Sequence, residues 1–175
     1  DVLARGADHF HGMESGQLWV NGTLDVNGES GASVVFTSVR ADSCGGDTDG
    51  VAATPTPGDW GRVLLYGSGA NEGIGEFDHC IVRYGGRIGA IQVPNVQFHV
   101  SDSGRFIDSV SEHGWGDGVY VETCSPVVSG SVLQYNDRFG LGMSGTVSSQ
   151  VAGNTFTGNG SYASYCSLSS GMCTF

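Results

Sequence analysis

Three carboxylates, Asp42, Asp47 and Asp49, sit within the glycine-rich stretch Ala41-Asp-Ser-Cys-Gly-Gly-Asp-Thr-Asp-Gly50. Hard oxygen ligands at short spacing in a permissive loop can curl round one calcium ion. Val51 takes the place where a third alternating acid would stand, and the same aspartates serve equally as turn formers in a solvated loop. Sugar chemistry has two sets of candidates. Trp60, Trp115 and Tyr120 offer faces on which a glycan ring can stack, Trp115 and Tyr120 flanking a Gly-Asp-Gly. Arg83, Asp78, Asp108 and Glu112 are the only groups placed to cleave a polysaccharide. Glycoside hydrolysis needs an acid and a base held on either side of the scissile bond. No such pair recurs at a workable spacing, and no nucleophile stands beside a base. The expectation is therefore a protein without catalytic activity, with a polysaccharide lyase or hydrolase as the rival reading.

Five cysteines leave an odd one. Cys166 and Cys173 bracket a short polar loop and form a plausible disulfide clasp. Cys80 reads as a small buried hydrophobe, Cys44 sits in a Gly/Asp loop and Cys124 at a strand-to-turn junction. Zinc-type Cys/His spacing does not occur, although His9 and His11 alternate near the N-terminus. The cysteine usage favours an oxidising, extracytoplasmic setting. Asn21-Gly-Thr23 and Asn159-Gly-Ser161 are formal glycosylation sequons, meaningful in a secretory host.

The elements that must position these residues are announced by an internal repeat. Phe77-Asp-His-Cys-Ile-Val-Arg-Tyr-Gly85 aligns with Phe106–Gly114, Val128–Asn136 and Val151–Asn159, at offsets of 29, 22 and 23 residues. A second apolar run follows the first three: Gly89–Val93, Gly118–Val121 and Gly140–Met143. Such a period, with short alternating strands and Gly, Ser or Asn at the corners, denotes a solenoid. The fourth repeat position is Cys80, Ser109, Ser131 or Asn154, small groups able to hydrogen-bond up a stack. Tyr84, His113 and Tyr135 share another position and should form an aromatic ladder.

The 175 residues amount to one domain, 1–175, with a loop over 40–58 projecting from it. Thirty glycines and four prolines suit many tight corners, and apolar residues alternate at strand rather than helix spacing. The charge of −11 comes from eighteen acids against seven bases, all arginine. With no basic stripe and no long apolar run, the expected partners include neither nucleic acid nor a membrane interior.

The repeats resemble those of the right-handed parallel β-helix families. Phe36-Thr-Ser, Gly45-Gly-Asp-Thr-Asp-Gly50, Pro57-Gly-Asp-Trp-Gly61 and Val82-Arg-Tyr-Gly-Gly86 are similar to a bacterial cell-surface β-helix module of long secreted proteins. That resemblance implies an all-β, single right-handed parallel β-helix of about six or seven coils. It implies a structural or adhesive role in an extracellular or cell-surface assembly. The partners expected are a glycan, and neighbouring domains or further copies stacked end to end, to the point of a filament. No cofactor is required on this reading, calcium being the one candidate.

Overall fold

The computed structural model describes residues 2–5, 9–12, 15–68, 73–100 and 103–170. The chain winds through six coils, each contributing one strand to each of three parallel sheets. The first coil holds β1 (Val2–Arg5), β2 (His9–Gly12) and β3 (Leu18–Val20), and the second β4 (Thr23–Asn27), β5 (Val34–Ser38) and β6 (Val63–Tyr66). The third holds β7 (Ile74–Asp78), β8 (Cys80–Arg83), a two-stranded hairpin of β9 (Arg87–Ile88) and β10 (Ile91–Gln92), and β11 (Val96–His99). The fourth is β12 (Arg105–Ile107), β13 (Val110–Glu112) and β14 (Val119–Glu122). The fifth is β15 (Val127–Ser129), β16 (Val132–Gln134) and β17 (Leu141–Thr146), and the sixth β18 (Gln150–Ala152), β19 (Thr155–Thr157) and β20 (Ser164–Ser170). The chain is thus an all-β parallel β-helix, and among the described residues there is no helix.

The register bears out the repeat. Phe106 lies between Phe77 and Val128, which in turn pairs with Val151. Val82, Ser111, Leu133 and Phe156 form the equivalent stack in the second sheet. One marker is corrected. Gly89–Val93 is not the third-sheet strand of its coil, since Val96 pairs with Val119 while Ile91 and Gln92 fold back on Ile88 and Arg87. Two apolar runs compete for that place, and Asn95 decides between them. Its side chain is buried at the corner between the second and third sheets and donates to the Val82 and Glu112 carbonyls and to Ser111 Oγ. Gly85 and Gly114 hold that corner in adjacent coils with no side chain of their own, so Asn95 supplies the missing donors.

The core fills from alternate positions of most of the sheet strands, as in β4, β7, β8, β14 and β16. Leu24, Phe77, Phe98, Phe106, Leu65, Leu133 and Leu141 are wholly buried, each contributing about 1.5–3 kcal/mol. Phe77 meets Phe98 edge-on at 6.1 Å and Phe106 at 5.8 Å between ring centroids, in preferred aromatic geometries. Ser111 is the polar member of the Val82–Leu133–Phe156 stack, and it is satisfied: its hydroxyl donates to the Gly118 carbonyl at 2.9 Å and accepts from Asn95.

Polar ladders close the corners. Ser109 Oγ accepts from Cys80 N, Ser131 Oγ from Ser109 N, and Asn154 Oδ1 from Ser131 N. At the next corner Asn136 Oδ1 accepts from Gly114 N and Asn159 Oδ1 from Asn136 N. The Tyr84–His113–Tyr135 ladder is present, with rings 5.5 and 5.4 Å apart and nearly parallel.

Both long excursions leave the helix at the corner between the second and third sheets. The 40–58 loop is closed at its neck by Asp59, whose carboxylate accepts from Ser38 Oγ at 2.7 Å and Thr56 Oγ1 at 2.8 Å and pairs with Arg40 at 3.1 Å. Gly58 N and Asp59 N then donate to the Gly85 and Tyr84 carbonyls, tying the loop to the third coil.

Candidate functional site

The outer face of the third sheet gathers most of the chemistry. Because strand side chains alternate, Trp19, Leu64, Gln97, Tyr120, Gly142 and Tyr165 share one outward column. Tyr66, His99, Glu122 and Ser144 form the column beside it. Trp19 leans on Tyr66 at 5.1 Å and Tyr66 stacks on His99 at 5.0 Å, leaving Trp19 53% exposed. At the other end Phe139 stacks on Tyr165 at 5.1 Å. Tyr120 lies flat along the sheet between them, its hydroxyl donating to Ser144 Oγ at 2.8 Å. Gly142 permits this posture, since a Cβ there would come within 2.6 Å of the Tyr120 ring.

A groove of about 540 Å³ runs over this face, with Arg62, Gln97, Asp117, Tyr120, Arg138 and Tyr165 among its walls. From Arg62 and Gln97 in its wall a connected polar network runs across the sheet. Arg62 donates to Gln97 Oε1 and to Gln17 Oε1, Gln97 Nε2 donates to Glu122 Oε2 at 3.0 Å, and His99 Nδ1 meets the same oxygen at 2.8 Å. Burial lowers the Arg62 pKa from its ordinary value, against the opposing pull of Glu122. Asp117 is the least exposed acid of the groove, with only 4% of its side chain open. Desolvation raises its pKa, outweighing Arg138 at 3.6 Å and the Phe139 amide that donates to Oδ1. Flat aromatic faces beside amide, guanidinium and carboxylate groups can grip the apolar faces and hydroxyl edges of a sugar.

The expected glycan residues divide across this geometry. Tyr120 stands in the groove. Trp115 lies at its margin, half-buried, its ring under the Arg87 guanidinium at 5.4 Å and its carbonyl held by Gln92 Nε2. Trp60 is corrected as a surface platform: it is only 4% exposed and belongs to the core, reached only through an apolar cavity that Phe10, Leu18 and Phe36 also line. Its indole donates to the Arg83 carbonyl at 2.9 Å and it presses on Gly12, where a Cβ would come within 2.7 Å of the ring. Asp117, Arg62 and Arg138 went unrecognised in the sequence. The signal for Asp117 was its place inside the Gly-Asp-Gly between the two aromatics.

The four residues of the rival catalytic reading do not converge. Arg83 and Glu112 pair at 3.8 Å on the outer face of the second sheet, with Gln134 donating to Glu112. Asp78 and Asp108 stand at the other end of those strands, around His79. Asp42, Asp47 and Asp49 do converge, with a ligand atom of each within 4.8 Å of the others. Asp42 Oδ1 is buried without a hydrogen-bond partner, while Asp47 and Asp49 each accept one backbone N–H from their own turn. A carboxylate oxygen shielded from water and unbonded is what a cation would satisfy, so the residues fit calcium.

Cys44, Cys80 and Cys124 are buried, and the Cys124 thiol donates to the Phe98 carbonyl at 3.3 Å. Burial pushes the Cys80 thiol up to about 12, the Ser109 hydrogen bond opposing it only weakly, and also raises Cys44 against the pull of Arg83. Cys166 is on β20, and its expected partner Cys173 lies outside the described residues. The side chains of His9 and His11 lie outside the described set as well.

Set against known protein families, curated proteins and solved structures, the chain matches none.

Proposed function

We propose that this chain is a non-catalytic, glycan-binding β-helix module of an extracellular or cell-surface protein, and that the groove on the third sheet is its binding face. The observation that carries this reading is that Tyr120, Phe139 and Tyr165 line a groove beside the planar groups of Arg62, Gln97 and Arg138, with Trp19 and Tyr66 continuing the aromatic row on the same sheet face. Rings held in place by stacking lose little entropy when a ligand arrives. Calcium in the Asp42–Asp47–Asp49 loop would order the projection beside this scaffold without entering the groove. A disulfide between Cys166 and Cys173 would clasp the last coil.

End-to-end association accompanies the adhesive role. Among the described residues, the outer edges of β1, β2 and β3 at one end and of β18, β19 and β20 at the other are unpaired. Neighbouring domains or further copies stacked there would continue all three sheets.

A glycan array of neutral and acidic oligosaccharides tests the reading, followed by titration of the best binder against Tyr120→Ala and Tyr165→Ala. Loss of a central aromatic contact costs more than about 1 kcal/mol, so affinity should fall at least fivefold in each variant. Binding that is unchanged in both variants, or cleavage of the glycan that disappears in Arg83→Ala, would overturn it.

A further inference from the structure

We infer a second metal site, for a zinc-class divalent ion, at the corner between the first and second sheets. Its ligands are Asp78, His79 and Asp108, which offer one ligand atom each within 4.8 Å of one another. The site has no part in the glycan groove, which lies on the third sheet, and does not depend on that reading.

The register builds it. Asn27 pairs with Asp78, and Phe77, Phe106, Val128 and Val151 stack, so the next corner column reads Gly28, His79, Asp108, Gly130 and Gly153. The corner demands a left-handed backbone from at least four of these positions, with φ of 49° at His79, 46° at Asp108, 60° at Gly130 and 66° at Gly153. Among the described residues glycine fills the column except at two adjacent positions, and those two carry a nitrogen and an oxygen ligand. Asp78, at the outward end of β7, brings the third, its Oδ1 lying 2.5 Å from His79 Nδ1. The coil above accommodates the group: a Cβ at Gly130 would collide with Asp108 Oδ1. No arginine pairs with Asp78 or Asp108 among the described residues, and no side-chain donor engages Asp108.

The donor set selects the ion. Calcium and magnesium take six or more oxygens, whereas one imidazole with two carboxylates suits a borderline metal such as zinc. Zinc binds such ligands at about 2.0–2.2 Å, which places tetrahedral ligand atoms about 3.4 Å apart. The half-exposed corner leaves the fourth position to water. The ion takes a neutral imidazole nitrogen and ionised carboxylates as ligands. Asp78 and His79 belong to the third coil and Asp108 to the fourth, so the ion would add a staple between two coils already joined there by backbone ladders and by the Cys80 N–H on Ser109 Oγ.

Calorimetry and thermal unfolding with zinc chloride, on protein freed of metal by chelator, provide the test. One ion per chain should bind and raise Tm by about 5–10 °C at a hundredfold excess over Kd. Asp108→Gly supplies the residue found at Gly130 and Gly153, and His79→Asn supplies one that tolerates the left-handed backbone, so both variants should fold. Both should lose the zinc response, while Asp47→Asn keeps it. No heat up to millimolar zinc would overturn the assignment. So would a zinc response that survives in Asp108→Gly and His79→Asn.

Discussion

Asn136 is the residue whose replacement discriminates most sharply among accounts of how the coils are held. Its side chain is fully buried and makes four contacts: Oδ1 accepts from Gly114 N at 3.0 Å and Asn95 Nδ2 at 3.3 Å, and Nδ2 donates to the Ser111 carbonyl and Asn159 Oδ1, each at 3.1 Å. In Asn136→Ala, Asn95 keeps its other acceptors and Asn159 keeps the Asn136 backbone donor. The Gly114 N–H and the Ser111 carbonyl lose the contact Asn136 gave them, and the buried N–H is left without its side-chain acceptor. One orphaned buried group costs about 1–3 kcal/mol, so the loss should be about 1–3 kcal/mol, before any cavity term. Against a typical total of about 5–15 kcal/mol this is a large fraction. Asn159→Ala, in the half-exposed last coil, removes a donor to Leu133 O and an acceptor for Asn136 N where water can enter, and should cost about half as much or less. Urea unfolding followed by far-UV circular dichroism measures both. A loss below 1 kcal/mol for Asn136→Ala, or equal losses for the two variants, would refute the argument that buried corner amides hold the coils in register.

Other consequences are as direct. Asp117 has a raised folded-state pKa, so the ionised form is disfavoured by folding. Its stabilising effect is full below the ordinary Asp range near pH 4 and is lost as pH rises through the folded value. Asp117→Asn should therefore gain in Tm over the parent protein between pH 3.5 and 7; a constant difference would contradict the desolvation argument. Chelator should lower Tm by a few degrees through the acidic loop, and Asp47→Asn should abolish the calcium response with no change in glycan affinity. Cys80 should resist alkylation at pH 8 in the folded protein and react once it is denatured, as mass spectrometry of modified peptides would report.

The repeat was legible because Phe77, Phe106, Val128 and Val151 obey one rule at one corner, and stacking makes equivalent positions physical neighbours. The third-sheet strand of the third coil was not. Ile91-Gln92-Val93 after a glycine looks like Val119-Tyr120-Val121 after a glycine. The burial of Asn95 against the Val82 and Glu112 carbonyls of two adjacent strands, and against Ser111 Oγ, selects Val96–His99 instead. Trp60 was misread because indoles stack on sugars as well as on cores. What buries it is the absence of side chains at Gly12 and Gly85, dozens of residues distant on either side. The groove was half legible. Tyr120 announced itself, but Arg62 and Gln97 join it only when Val63 is paired with Val96, across two insertions that mask the period.

Those two insertions carry a lesson for engineering. The 40–58 loop and the Arg87–Gln92 hairpin differ in length and character, yet they depart from the same corner, and the ladders on either side of them continue unbroken. That corner is indifferent to how much chain passes through it, because the hydrogen bonds that set the pitch run between coils and not along the connection. Lengthening a closed loop twofold costs only about 0.6 kcal/mol. The solenoid can therefore serve as a display rack: foreign peptides grafted in place of residues 45–54 should be held outward on a rigid rod, clamped at the neck by Asp59, with the groove on the neighbouring face left intact.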